Sequence, residues 1–384
     1  MQHLNLSTLR QNYKSFVYES YGWELVDSTL VLKFKFKITP GIEFNPTVRI
    51  NNVKKTMLDQ IDKKVIDNFV FHLGLAEIPT YWKSTCAEII EIKACELNQN
   101  QTEWWKELIL NGLGEFFYQN KIDSTQTDFV QIKSTGQPIT EVDTNIHKNK
   151  YLVLNGGGRD SVVSVEIIKS LKDQTALLML NPTKAAIDVA NTAEIKEQII
   201  VERDIDKKLL ELNDEKYLNG HTPFSSYLSF LSVLVSLLFD YQFAVVSNEK
   251  SSNEENVIYL GKKINHQFSK SYEYEEMFRS YCKKNLSTTI EYLSIARPLY
   301  EIQISKLFAK HEKYFKVFKS CNREQKTNTW CGVCPKCLSI YISLYPFIDE
   351  SELNAIFASK PYGDENLKYL LFHITGLESP KPFE

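Results

Sequence analysis

Two clusters of residues in this 384-residue chain have the types and spacing to do chemistry. The first is Asn155-Gly156-Gly157-Gly158-Arg159-Asp160-Ser161, which lies between an apolar run and a stretch with helical periodicity. Three successive glycines remove every β-carbon, so the backbone can turn sharply and come close to a ligand. The amides of such a loop and of the helix that follows converge on one spot, which is an anion site suited to phosphate. Asp160 and Ser161 fall in the first helical turn, where they can cap it or touch the ligand and its metal. The spacing is neither that of a Walker loop, which requires Gly-Lys-Ser/Thr, nor that of a dinucleotide GxGxxG turn. The alternative is a strand-to-helix turn with no ligand.

The second cluster is Cys321, Cys331, Cys334 and Cys337. The two close spacings let neighbouring sulfurs reach one tetrahedral ion, and the longer loop brings the fourth. Four thiolates on zinc make a closed, structural site. An iron–sulfur cluster and unrelated thiols are the alternatives. The chain has seven cysteines, and Cys86, Cys95 and Cys282 stand apart from this group. A secreted disulfide framework would more often be even and dispersed.

These clusters need elements to hold them. Residues 29–38 alternate between apolar side chains and lysines, a half-buried antiparallel strand, and 17–26 supply its partner. Residues 65–120 look mainly helical and carry Trp104, Trp105, Phe116 and Phe117. The polar stretch 121–150 is the best linker. Beyond it the pattern changes to short apolar runs at 151–155, 175–181 and 243–248, with a weaker one starting at 198. Helical stretches separate them, at 161–171, 190–199 and from Pro223 onward. This rhythm implies a parallel α/β sheet covered on both faces. Thr222 before Pro223 reads as an N-cap and first-turn proline. In such folds ligands lie beyond the C-terminal strand ends, so Asn181-Pro182-Thr183 and Ser247-Asn248-Glu249 belong beside the glycine loop.

Polar segments between the clusters hold further candidates. His221 and His266 are possible proton carriers near neutral pH, each equally readable as a structural histidine. Lys and Arg together number 45 against 48 acidic residues, a net charge of −3 with no general footprint for nucleic acid. The N-terminus lacks a basic region followed by an apolar one, so no signal peptide is expected. The apolar stretch 224–239 is shorter than the roughly 20 residues that span a bilayer. A cytoplasmic protein with no membrane partner is expected.

The glycine loop resembles the SGGxDS loop of the PP-loop ATP pyrophosphatases. Asn155 replaces their usual serine, an extra glycine precedes the pair, and Arg159 stands where lysine is common. The cysteine spacing is similar to the zinc knot of the PP-loop enzymes that make 7-cyano-7-deazaguanine. A closer resemblance joins segments 71–83, 104–120, 219–234, 247–257, 265–278 and 297–302 with the cysteine region. They look like the UDP-N-acetylmuramoyl-L-alanyl-L-glutamate epimerases of peptidoglycan synthesis, from about residue 15 to residue 347.

That resemblance implies a fold and an activity, and residue chemistry with strand-end position suggests the site. The fold is α/β, an adenine-nucleotide alpha-hydrolase-like (PP-loop) parallel sheet with a C-terminal zinc knot and an N-terminal α+β region. The division is 1–145 for the N-terminal region, a candidate for substrate binding, 146–345 for the ATP domain with its zinc, and 346–384 for a helical extension. The activity is ATP- and magnesium-dependent inversion of the terminal L-glutamate of UDP-MurNAc-L-Ala-L-Glu, a nucleotide-sugar dipeptide, with release of AMP and pyrophosphate. Residues 155–161, Asn181 and Ser247 would bind ATP, with Asp160 near magnesium. Arg159 and Lys270 would neutralise pyrophosphate. Asn248, Asn253, Lys270, Arg297 and Arg323 would meet substrate or phosphate. His221, Glu249, Glu254 and His266 are the acid–base candidates, with Cys282 a weaker one. The alternatives are a PP-loop enzyme acting on a nucleobase or protein, and an ATP-binding regulatory or defence protein without turnover.

Overall fold

The computed structural model describes residues 4–138, 144, 146, 148–357, 367–379 and 381–383. The alternating segment forms β2 (Thr29–Thr39), paired antiparallel with β1 (Ser15–Val26). Its apolar side chains Leu30, Leu32, Phe34, Phe36 and Ile38 are buried. Next come β3 (Ile42–Phe44), β4 (Thr47–Asn51), β5 (Ile89–Ile92) and β6 (Gln131–Ser134). The later strands are β7 (Tyr151–Leu154), β8 (Thr175–Leu180), β9 (Glu197–Asp204), β10 (Phe243–Val246), β11 (Val257–Tyr259), β12 (Lys262–Ile264) and β13 (Glu291–Ser294).

One mixed sheet has the order β13-β10-β7-β8-β9-β4-β2-β1-β5-β6, with β3 beside β2. The five strands from β13 to β9 are parallel; the apolar runs predict four of them, and β13 is the fifth. β4 then pairs antiparallel with β9, so the N-terminal strands extend the same sheet. The expected division at 145 falls beside residues outside the described set, and the sheet continues across it through this β4–β9 pairing. Strand alternation feeds two cores. Leu152, Ala176, Leu178 and Ala244 face one that includes the helices Lys63–Trp82 and Phe224–Phe239. Val153, Leu177, Met179 and Val245 face the other, under the helices Arg159–Ile168, Lys184–Ala193, Glu301–Phe308 and Pro335–Leu344.

Some local readings need correction. The presumed linker at 121–150 contributes β6, which pairs with β5 at the sheet edge. The helix expected at 190–199 runs earlier, over Lys184–Ala193, because Thr183 caps it by accepting from the Ala186 amide (3.2 Å). Its buried face is mostly alanine, which gives a weak periodic signal. Pro223 rather than Thr222 precedes the first turn of the core helix, with non-helical backbone at ψ 64°. Ser226, Ser229, Ser232 and Ser236 of that helix are buried, and Ser229 and Ser232 donate to carbonyls of their own helix. In the expected C-terminal extension the helices Glu350–Phe357 and Lys368–Ile374 are described, while 358–366 lie outside the described residues. No described helix is long and apolar enough to cross a membrane.

A buried ion pair ties the two parts of the sheet. Glu77, fully buried in the helix Lys63–Trp82, accepts from Arg203 of β9 at 2.6 Å (Nε) and 2.5 Å (Nη2). This fork-to-fork geometry is the strong form of the interaction. Removing one partner leaves a buried charge unmatched, so Glu77→Ala should lower the unfolding free energy by about 3–5 kcal/mol in urea titration. The double change Glu77→Met with Arg203→Met should lose less, because no lone charge remains buried. Equal losses in both would show that packing, not charge, holds the joint.

Candidate functional site

The glycine loop begins where β7 ends. The Asn155 side chain is buried and ties the loop down: its amide donates to the Ala186 carbonyl (2.8 Å) and its oxygen accepts from the Gly157 amide (2.9 Å). Gly157 has φ +77°, and a Cβ there would stand 2.4 Å from the Ala186 nitrogen. Glycine is therefore required at this point by both conformation and space. The helix Arg159–Ile168 starts immediately afterwards, and no side chain caps its first turn. Its end therefore presents uncapped amides toward the loop, the arrangement that attracts an anion.

Two cavities adjoin this loop. The first, about 390 Å³, brings together Gly156, Arg159, Asp160, Ser161, Ser247, Asn248, Glu249, Glu254, His266 and Lys270. The second, about 710 Å³, shares Gly156, Arg159, Asp160 and Ser161 with it and adds Gly158 and Asn181. Both lie at the C-terminal strand ends, as parallel topology requires. The Ser247 hydroxyl is buried at the first cavity with no hydrogen-bond partner among the described residues. Such an atom fits a site that takes a polar ligand.

The charges are arranged around that space. Burial disfavours the Asp160 carboxylate, but Arg159, Lys336 and Lys270 outweigh it and hold its pKa below the ordinary value. Burial, with repulsion from Asp160 and Glu301, raises Glu249. Burial and the neighbouring Lys336 lower Lys270, against the pull of Asp160, Glu249 and Glu301. Three carboxylates and two lysines thus act on one another across the first cavity. Such a site has cations for phosphate oxygens and carboxylates for a divalent ion.

Several sequence candidates do other work. Arg159 is 2% exposed, and its guanidinium bonds Asp160 (2.8 Å), Ser305 and Ser343 (2.9 Å each) and Glu301 (3.3 Å). It positions these groups from beneath and is not the free cation expected for pyrophosphate. Arg297 is held by Glu275 and by the carbonyls of Glu249 and Lys270, so it braces two site loops without lining either cavity. Asn253 donates to the Lys250 carbonyl and accepts from the Tyr272 amide, which fixes a loop. Arg323 is exposed and lines neither cavity. Cys282 is buried, with its thiol pushed up to about 12 by burial. Glu249 lines the first cavity while one of its oxygens accepts from the Ser252 amide (3.1 Å), and exposed Glu254 pairs with Lys381 (2.6 Å). His221 lines neither cavity but lies beside His266, with ring centres 6.0 Å apart.

Lys336 and Glu301 are the residues sequence reasoning missed. Lys336 lines both cavities and sits between Cys334 and Cys337, so its only visible signal was the cysteine motif. The four sulfurs lie within 4.8 Å of one another, with Cys334–Cys337 at 3.4 Å and Cys331–Cys337 at 3.8 Å. A tetrahedral ion with metal–sulfur bonds of about 2.3 Å sets its sulfurs roughly 3.8 Å apart, so a single ion such as zinc fits. The cluster is coupled to the loop: the Lys319 amide donates to the Gly157 carbonyl (3.0 Å), and Ser320 closes over Gly158.

Residues 7–295 match the family model described as the MurL N-terminal domain, and residues 317–384 match the MurL C-terminal domain. The chain belongs to the MurL family. It is similar to proteins named UDP-N-acetyl-alpha-D-muramoyl-L-alanyl-L-glutamate epimerase. The one from Xanthomonas oryzae pv. oryzae is 29% identical over 79% of this chain and 68% of its own length. Those from Salinispora tropica and a Micromonospora species are each 31% identical over 71% of this chain, and over 60% and 62% of their own lengths. Two of these three relatives are therefore matched over less than two thirds of their length. The first MurL match ends just after β13 and includes the glycine loop, and the second covers all four cysteines. Both cavities draw residues from both matched regions, so this MurL site is built between them.

The metal reading has a direct check. Purified protein should carry about one zinc ion per chain by elemental analysis, and Cys334→Ser should lose it and lower Tm. Full metal content in that variant would contradict four-cysteine ligation.

Proposed function

We propose that this protein inverts the terminal L-glutamate of UDP-MurNAc-L-Ala-L-Glu to D-glutamate, using ATP and magnesium and releasing AMP and pyrophosphate. The observation that carries this reading is the meeting of a glycine loop, two lysines and three acidic residues at one cavity, in a MurL chain. The relatives' names supply the substrate.

The chemistry explains why such a site is wanted. The Cα proton beside a free carboxylate is very weakly acidic, because its removal places a second negative charge next to the first. Joining the carboxylate to an adenylyl group removes that charge and brings the proton within reach of an ordinary base. Gly158 and the first turn of the helix Arg159–Ile168 would offer amides to phosphate oxygens, while the Gly156 amide donates to the Ser161 hydroxyl (3.1 Å). Lys270 and Lys336 face the charge that develops on pyrophosphate. Asp160 and Glu249 would hold magnesium, whose role is to neutralise phosphate charge. Arg159 keeps Asp160 ionised and in place. This arrangement supports an ATP pyrophosphatase of the PP-loop type, and the four-cysteine site supports zinc in a structural role.

The test is incubation with ATP, magnesium and UDP-MurNAc-L-Ala-L-Glu, following AMP by chromatography and the configuration of the glutamate. AMP release with D-glutamate formed is expected. Asp160→Asn, which keeps the shape and removes the charge, should lower the rate by about 10²–10³-fold. AMP without inversion, or no AMP with this substrate, would refute the assignment.

A further inference from the structure

The segment 219–221 forms a strap across the short helix Gly114–Gln119, and it is pinned on both sides. The Asn120 amide donates to the Asn219 carbonyl (3.1 Å), and buried Lys83 donates to the Gly220 carbonyl (2.6 Å). Gly220 has φ +153°, and a Cβ there would press to 3.2 Å from the Phe116 ring. The strap thus holds His221 against the helix. Its Nδ1 stands 3.2 Å from Oε2 of Glu115, a carboxylate only 16% exposed. The His221 ring keeps 30% of its exposure, and its neighbours on either side reach the cavities: His266 lines the first and Thr222 the second.

We infer that Glu115 and His221 form a carboxylate–imidazole dyad, in which His221 takes the Cα proton of the bound glutamyl group and Glu115 positions the ring and accepts its second proton. The inference rests on the epimerase reading above. His221 is then the catalytic residue, and Glu115 acts through it.

The electrostatics explain why the carboxylate is needed. Burial, with the charges of Lys270 and Lys83, pushes the His221 imidazole down to about 4. Alone, such a ring is a poor base, because its cation would sit beside two others. Burial pushes Glu115 up to about 7. When Glu115 is ionised, a turn of the ring would align the His221 Nδ1–H on the carboxylate oxygen 3.2 Å away and leave the lone pair on Nε2. As the Cα–H bond breaks, its electrons pass into the enolate of the activated carboxyl group, its proton joins Nε2, and the Nδ1 proton moves to Glu115. The dyad ends neutral, so no imidazolium has to persist near the lysines. Water protonates the enolate on the other face, and the hydroxide it leaves cleaves the adenylate. The dyad then returns its proton to solvent. A Glu115 carboxyl raised to about 7 can take up this proton and release it again near neutral pH.

The test separates proton transfer from activation. Full-length protein is given UDP-MurNAc-L-Ala-L-Glu in D2O, and deuterium at the glutamate Cα is followed by mass spectrometry. In parallel, substrate-dependent exchange of labelled pyrophosphate into ATP reports activation and an intact fold. Glu115→Gln should cut deuterium uptake by about 100-fold or more while pyrophosphate exchange stays within about threefold, and Glu115→Asp should recover part of the uptake. His221→Gln should behave like Glu115→Gln. Unchanged deuterium uptake in Glu115→Gln overturns the dyad. So does an equal loss of both exchanges in all three variants, which would mark a purely structural pair. If the wild-type protein itself shows neither exchange, the epimerase reading falls and takes the dyad with it.

Discussion

The Glu77–Arg203 pair is the constraint on which the rest of the structure depends. Taking two charges out of water is costly, and it is compensated here by bidentate geometry together with a further hydrogen bond from Arg203 to the Thr80 hydroxyl (3.1 Å). Burial disfavours the Arg203 charge, yet Glu77 more than restores it. The same guanidinium sits over the Tyr227 ring at 4.5 Å, on the core helix Phe224–Phe239. Its backbone is fixed as well, since the Arg203 amide donates to the Asn181 side chain (2.8 Å) and the Asn181 amide group donates to the Arg203 carbonyl (2.9 Å). One residue therefore locks a helix from the N-terminal half, the end of β9, the loop after β8 and the core helix. Arg203 also lines the second cavity, so the joint between the sheet halves is one wall of the site.

A second coupling runs through the cysteines. The chain from Lys319 to Ser320 lies on the glycine loop, so the loop's shape and the start of the four-cysteine knot are set together. Lys336 then projects from the knot into both cavities. A metal ion held by the four cysteines would therefore also order a cation of the site. Arg159 does the same from the other side, joining Asp160 to Glu301 beneath the cavity floor. The C-terminal segment adds a cover. Lys381 pairs with Glu254, the Pro382 carbonyl accepts from Asn256, and the Phe383 ring meets His266.

What was legible in the sequence were features that depend on near neighbours. Alternation made β2, continuous apolar runs made the parallel strands, three glycines made the loop, and cysteine spacing made the cluster. Each follows from local sterics or short-range reach, so residue type and spacing suffice. The strand-end rule likewise placed Ser247, Asn248 and Glu249 correctly beside the loop, because it follows from parallel topology alone.

The sequence could not divide polar residues into those that face a ligand and those that brace the fold. Arg159, Arg297 and Asn155 have the chemistry of ligand binders, yet their partners are Glu301, Glu275 and Ala186, far off in the chain. Which of them had hydrogen-bonding capacity left over was decided only by tertiary packing. The same holds for Lys336, unnoticed between two cysteines, and for Glu115, unremarkable on its helix until the strap brings His221 to it. The sequence by itself determined the kind of sheet, the glycine loop and the four-cysteine cluster, because these are written in short-range pattern. Tertiary structure alone decided which charges are buried against each other, because that depends on contacts between residues many positions apart, and burial is what turns an ordinary carboxylate or lysine into a functional one.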